Sequence, residues 1–156
     1  MSDDDHIRQA TLHVVAQYQA LLSQGRWDEW IGLWAEDGEL DFPFAPAGRQ
    51  RLYRGREAIL RYMRAASGKM VIEAVASARL IPAQDPRVAV AELSIRGHAA
   101  EGGAPYDQSY VLVFETEDGL LKRYREYWNP LVSIDAFGGR EAWTAHFGFP
   151  AADAAA

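Results

Sequence analysis

The sequence predicts an α+β fold with helices first and an antiparallel sheet after them. Three observations carry that reading. Apolar residues recur at three- and four-residue spacing through the first part of the chain, the period then changes to two in four successive runs, and turn-forming segments separate those runs. Helices segregated from a meander of this kind cover one face of the sheet.

Taken in order, residues 6–24 place Ile7, Leu12, Val15, Tyr18, Leu21 and Leu22 on one side of an amphipathic helix closed by Gly25. WDEWIGLWAEDG reads as a second, shorter helix, with Trp27, Trp30, Ile31 and Trp34 on a wide apolar face and Gly38 just beyond it. ELDFPFAPAG, residues 39–48, has the flavour of a short strand, and its two prolines make it an edge strand or a lip. YRGREAILRYMRAAS supplies a third helix through Ala58, Ile59, Tyr62 and Met63, which Gly68 ends.

The four alternating runs span residues 70–81, 87–99, 106–116 and 120–129, and PAQDP, AAEGGAP and EDG between them are turn chemistry. Pro130 stops the last strand, and LVSIDAFGGREAWTAHFGF reads as a short helical or irregular segment. The expectation is one domain over residues 1–156, ordered from about 6 to 148, with a flexible acidic lead and a flexible AADAAA tail.

Composition narrows the function. A chain of 156 residues can bury most of its apolar surface without staples, and cysteine is absent, which excludes disulfides, thiolate nucleophiles and thiolate metal sites. No charged leader precedes an apolar stretch, and no apolar run approaches the ~20 residues of a membrane span, so a soluble, cytoplasmic protein with no membrane partner is expected. Net charge is −6, with acidic clusters at Asp3–Asp5 and Glu36–Asp41. The one dense basic stretch, RQRLYRGR at 49–56, lies in this acidic setting, so nucleic acid is not an expected partner. The histidines, at 6, 13, 98 and 146, lack ligand spacing, and no HExxH, EF-hand, Walker or GxSxG pattern is present; neither metal nor cofactor is expected.

KRYREYWNPL, residues 122–131, carries the chemistry that remains. Residues two apart on a strand share a face, which sets Glu126 beside Tyr124 and Trp128 and leaves Arg123, Arg125 and Tyr127 on the other side. Two readings follow: a carboxylate solvated or paired with arginine on a shallow sheet, or one lining a cavity between sheet and helices. In the second, desolvation raises its pKa and suits it to general acid/base work. On the preceding strand Tyr106, Gln108, Tyr110, Leu112 and Phe114 share a face that brings the Tyr110 hydroxyl and the Gln108 amide toward the same cavity. A core tyrosine with a satisfied hydroxyl is the competing reading there, and it applies equally to Tyr18 and Tyr62. The stripe of Glu92, Ser94, Arg96 and His98 reads as a solvated or subunit-contact face.

AQYQALLSQGRWDEWIGLWAEDGELDFPF, YRGREAILRYM and EDGLLKRYREYWNPL together resemble the cone-shaped α+β superfamily of ketosteroid isomerase, scytalone dehydratase and the SnoaL-type polyketide cyclases, the nuclear transport factor 2-like group. The resemblance spans about residues 8–138 and is nearest to the SnoaL-like proteins that include PhzA and PhzB. It implies a curved antiparallel sheet wrapped around the N-terminal helices, one deep pocket, a homodimer meeting through the outer sheet face, and cofactor-free acid/base chemistry. Tyr18 falls at the isomerase's oxyanion tyrosine and Trp34 at a second pocket tyrosine. Phe42 occupies the place of the isomerase base, with Asp41 one residue away, and Tyr110 lies near the place of its protonated aspartate. Glu126 matches the glutamate of the phenazine proteins, where Tyr62 and Ala66 replace their histidine and serine. Glu126 and Asn129 also match limonene epoxide hydrolase, whose arginine and aspartate pair is missing because residues 88–92 read VAVAE.

The resulting expectation is an acid/base enzyme of secondary metabolism. It isomerises, cyclises or dehydrates a small, mostly apolar, carbonyl-bearing or polyketide-like substrate. Glu126 shuttles the proton, and Tyr18, Tyr62 or Tyr110 holds the enolate oxygen, with Asp41 the alternative base. Trp34, Phe42, Phe44, Gln108, Leu112, Tyr124, Trp128 and Asn129 bind the substrate, and DFPFAPAG forms the mouth. The rivals are a non-catalytic binding or scaffold module of the same fold and an epoxide hydrolase.

Overall fold

The computed structural model describes residues 2–147. Helix α1 runs Asp3–Ser23, α2 Trp27–Gly32 and α3 Arg56–Ser67, with strands β1 Trp34–Asp41 and β2 Leu52–Arg54 between the last two. The meander follows as β3 Met70–Pro82, β4 Val88–Ala99, β5 Gln108–Glu117 and β6 Leu120–Trp128, and α4 Pro130–Ala136 and α5 Arg140–Phe147 close the described chain. Among the described residues no helix is long and apolar enough to cross a membrane.

The α+β reading holds, and the four meander strands fall within two residues of their expected limits. Asp3–Asp5 are not a flexible lead but the first turn of α1. The Ser2 hydroxyl accepts from the Asp5 amide while the Asp5 carboxylate accepts from the Ser2 amide, and acidic side chains suit the positive end of a helix. The AADAAA tail lies outside the described residues.

Trp34 is a correction. The helical spacing of the tryptophans stops at Gly32, and Trp34 opens β1, its side chain fully buried. The sheet holds six strands in the order β2-β1-β6-β5-β4-β3. It is mixed rather than wholly antiparallel, because β1 lies parallel to β6, with Leu40 opposite Tyr124 and an irregularity between Trp34 and Glu39. All other pairs are antiparallel.

Helix α1 packs on β4, β5 and β6, whereas α3 touches β1 and β2 at one edge and β3 at the other. One short helix reaching both edges requires a sheet that curls around it. Gly97 permits part of that closeness: a Cβ there would stand 2.3 Å from the Val71 carbonyl oxygen.

Inside the curl, Tyr18, Trp30, Trp34, Phe114 and Tyr124 form an aromatic core with neighbouring ring centroids 5.0 to 6.3 Å apart. Such tilted and edge-on stacking adds to area burial. On the outer face Arg123 pairs with Glu39, Arg125 with Glu115, and Tyr127 stacks against Phe44.

Candidate active site

Alternation along β6 turns Tyr124 and Trp128 into the curl, and both are buried. Glu126 shares their face, opposite Leu112 of β5, is half-buried, and lines a partly open cavity of about 40 Å³. The other walls are Arg49 from the β1–β2 loop, Tyr62 and Ala66 of α3, Met70, Tyr106, Tyr110, Trp128, Ser133 and Phe147. The Tyr124 hydroxyl donates to Glu126 Oε2 at 2.8 Å, and the Tyr106 and Tyr110 hydroxyls are 2.9 Å apart.

Burial pushes the Glu126 carboxyl above the ordinary glutamate range, while the hydrogen bond from Tyr124 and the positive charge of Arg49 act the other way. Desolvation wins. The carboxyl is thereby poised to hold or release a proton nearer to neutral pH than a solvated glutamate would. The Tyr62 and Tyr110 hydroxyls are pushed up as well, chiefly by burial, and stay protonated donors.

Arg49 is the residue that sequence reasoning missed. Its guanidinium carbon lies 4.7 Å from the ring centre of Phe42, 5.3 Å from Trp128, 5.5 Å from Tyr62 and Trp143, and 5.7 Å from Phe147. It also donates to the Tyr62 hydroxyl, and its buried Nε has no partner among the described residues. In RQRLYRGR nothing periodic separates Arg49 from the surface arginines, since an inward turn of a loop has no repeat to read. Tyr106 was set on the inward face without being given a role, and Ser133 and Phe147 were missed because the C-terminal segment showed no firm period.

Several expected site residues sit elsewhere. Tyr18, 1% exposed, belongs to the aromatic core beneath Tyr124. Trp34 is in the same core and does not reach the cavity wall, and Leu112 is buried in register behind Glu126. Phe42 carries the guanidinium rather than the cavity. Phe44 is 58% exposed on the outer face, because the loop after Pro43 turns it onto Tyr127.

Asp41 follows the inward Leu40 and so leaves the curl. Its carboxylate accepts from Arg51 Nε at 2.7 Å and Nη2 at 3.1 Å, which makes it half of an ion pair and not a pocket base. The Gln108 amide is spent on the main chain of Asn129 and the amide of Ser109. Asn129 itself is exposed, and its side chain caps α4 by accepting from the Leu131 amide at 3.0 Å. Glu126, Tyr62, Tyr110 and Trp128 are therefore the expected residues that the structure brings to one cavity, with Tyr124 supporting Glu126 from behind.

A second, open groove at the start of α3 is lined by Glu36, Arg54, Arg56 and Arg61, among others, and shares no residue with this cavity. Its arginines are already engaged by Glu39, the Trp34 carbonyl and Glu57.

A curled sheet closing over helices to leave one carboxyl among tyrosine hydroxyls defines a class of small α+β pocket proteins, with the nuclear transport factor 2-like fold. The chain belongs to the SnoaL-like domain family, whose model matches residues 15–124, as the resemblance implied. It is 36% identical over 123 residues to the uncharacterised YesE of Bacillus subtilis, covering 79% of this chain and 84% of that one. It is 34% identical over 122 residues to an uncharacterised PhzA/B-like protein of Pseudomonas aeruginosa, covering 78% and 86%. Among solved structures it matches a candidate isomerase from Bacillus subtilis with TM-score 0.79 at 32% identity, over 90% of this chain and 98% of that one.

Proposed function

We propose that the protein is a cofactor-independent acid/base enzyme of secondary metabolism that isomerises, cyclises or dehydrates a small carbonyl-bearing metabolite. The observation that supports this reading is the half-buried Glu126 carboxyl, raised by desolvation and held by Tyr124 at a cavity lined with tyrosine hydroxyls. The candidate isomerase from Bacillus subtilis supports the same class of chemistry.

Glu126 removes a proton from the carbon beside the carbonyl. Negative charge then moves to the carbonyl oxygen, where the hydroxyls of Tyr62 and Tyr110, which line the same cavity, stabilise it. Glu126 returns the proton to another atom of the substrate. A carboxyl whose proton affinity approaches the working pH serves both halves of that cycle.

Conversion of cyclohex-3-enone to the conjugated enone, followed by ultraviolet absorbance, tests the reading with a small ketone. Glu126→Gln is expected to lower the rate by ~10² to 10⁴. Undiminished turnover in that variant removes Glu126 from the chemistry.

A scaffold module without chemistry is the second reading, and one observation favours it. A cavity of about 40 Å³ has room for only a few water molecules, where metabolite pockets span ~300 to 1,000 Å³. Such a module would convert the ketone in neither form. Water addition to an epoxide is not proposed, because the Asn129 side chain already caps α4.

A further inference from the structure

We propose that Arg49 is the latch of the pocket: its guanidinium ties the β1–β2 loop to α5 over Glu126, and a ligand reaches the carboxyl only after this side chain leaves its ring cage. The inference rests on the reading above only in taking the Glu126 cavity as the binding site.

The argument starts from volume. A metabolite cannot share about 40 Å³ with the groups that line it, so the described form is too narrow for one and some wall must move. The floor and sides cannot supply that movement cheaply. Glu126, Trp128, Tyr106 and Tyr110 stand on or beside paired strands at the middle of the sheet, and Tyr62 is anchored in α3 among Phe42 and Tyr53.

The roof is different. The β1–β2 loop contains Pro43, Pro46 and Gly48 at φ +89°; the Phe42 amide donates to the Arg51 carbonyl across its base, and beyond that its backbone bonds are local turns, Ala45 to Phe42 and Arg49 to Pro46. Helix α5 has eight residues, too few to hold themselves helical in water. It is fastened by the bond from Trp143 Nε1 to Ser133 Oγ at 2.8 Å and by ring contacts to Phe137 and Trp128.

Arg49 joins these two movable parts. Of the five rings around its guanidinium, Trp143 and Phe147 belong to α5, Phe42 and Trp128 lie at the ends of β1 and β6, and Tyr62 is on α3. A desolvated cation among several ring faces is a strong local fastening. It is also reversible. Arg49 donates to the Tyr62 hydroxyl and, among the described residues, its buried Nε has no partner, whereas water satisfies a guanidinium fully once the loop swings out. With the side chain withdrawn, the same rings become walls of a larger apolar pocket above Glu126.

Hydrogen–deuterium exchange of the intact protein tests the latch without any substrate. Arg49→Met keeps a flexible apolar stem and removes the cation. It is expected to speed exchange of the α5 backbone amides by roughly tenfold or more and to leave α1 and β5 at wild-type rates. Arg49→Lys, which keeps charge but loses the planar fork, is expected to give a smaller acceleration confined to α5, and it carries the test alone if the first variant does not fold. Unchanged α5 exchange, or acceleration spread evenly over α1, β5 and α5, overturns the proposal. Since the readout needs no turnover, it is independent of the Glu126→Gln result.

Discussion

Glu126 occupies a position where the alternation of β6 calls for an apolar side chain, and the surroundings express the conflict as a raised proton affinity. The consequence for stability has a definite sign. The folded state binds the proton more tightly than the unfolded chain, so stability is present below the unfolded value and is lost as pH rises through the folded one. Glu126→Gln removes that slope. In urea unfolding across pH, the variant is expected to gain on wild type above pH 4.5 and to show no relative gain below it. Tyr124 acts on the same group from behind. Tyr124→Phe removes the hydroxyl that donates at 2.8 Å, so the Glu126 limb of the pH–rate profile is expected to move to higher pH; an unmoved limb would show that this bond has no hold on the carboxyl.

At the scale of elements, α4 shows how a local sequence signal can be read for the wrong purpose. Asn129 before Pro130 is a helix start, with the proline at the first helical position, and its side chain is consumed there. Asn129→Ala is expected to lower stability by about 0.5 to 2 kcal/mol in urea unfolding, with turnover per folded molecule unchanged. A large loss of turnover at full stability would instead make Asn129 part of the site. The long strands were legible in the sequence because half-buried strands alternate, and α1 and α3 because one face of each is apolar. Strand β2 was not, since three residues are too few to carry a period, and neither was the parallel pairing of β1 with β6, which depends on contact between residues far apart in the chain. The tryptophan spacing that suggested helix around Trp34 arose because both α2 and β1 deliver aromatics to the same core.

Over the whole molecule, the fold places a rigid aromatic core under a thin, movable roof. Tyr18, Trp30, Trp34, Phe114 and Tyr124 fill the base of the curl, and Glu126 stands directly above Tyr124 with the β1–β2 loop and α5 overhead. The part of the site carried on strands and on α3, namely Glu126, Trp128, Tyr110 and Tyr62, was readable from spacing. Arg49 was not, because a guanidinium becomes a pocket group only when rings from separate elements meet around it. The claim on which the rest depends is that the half-buried Glu126 carboxyl is raised above the ordinary glutamate range by desolvation and held down in part by the charge of Arg49. Titration of its carboxyl carbon by NMR measures this directly. The account predicts a midpoint above the ordinary 4.5 that rises further in Arg49→Met; a midpoint at or below 4.5, indifferent to Arg49, would contradict it.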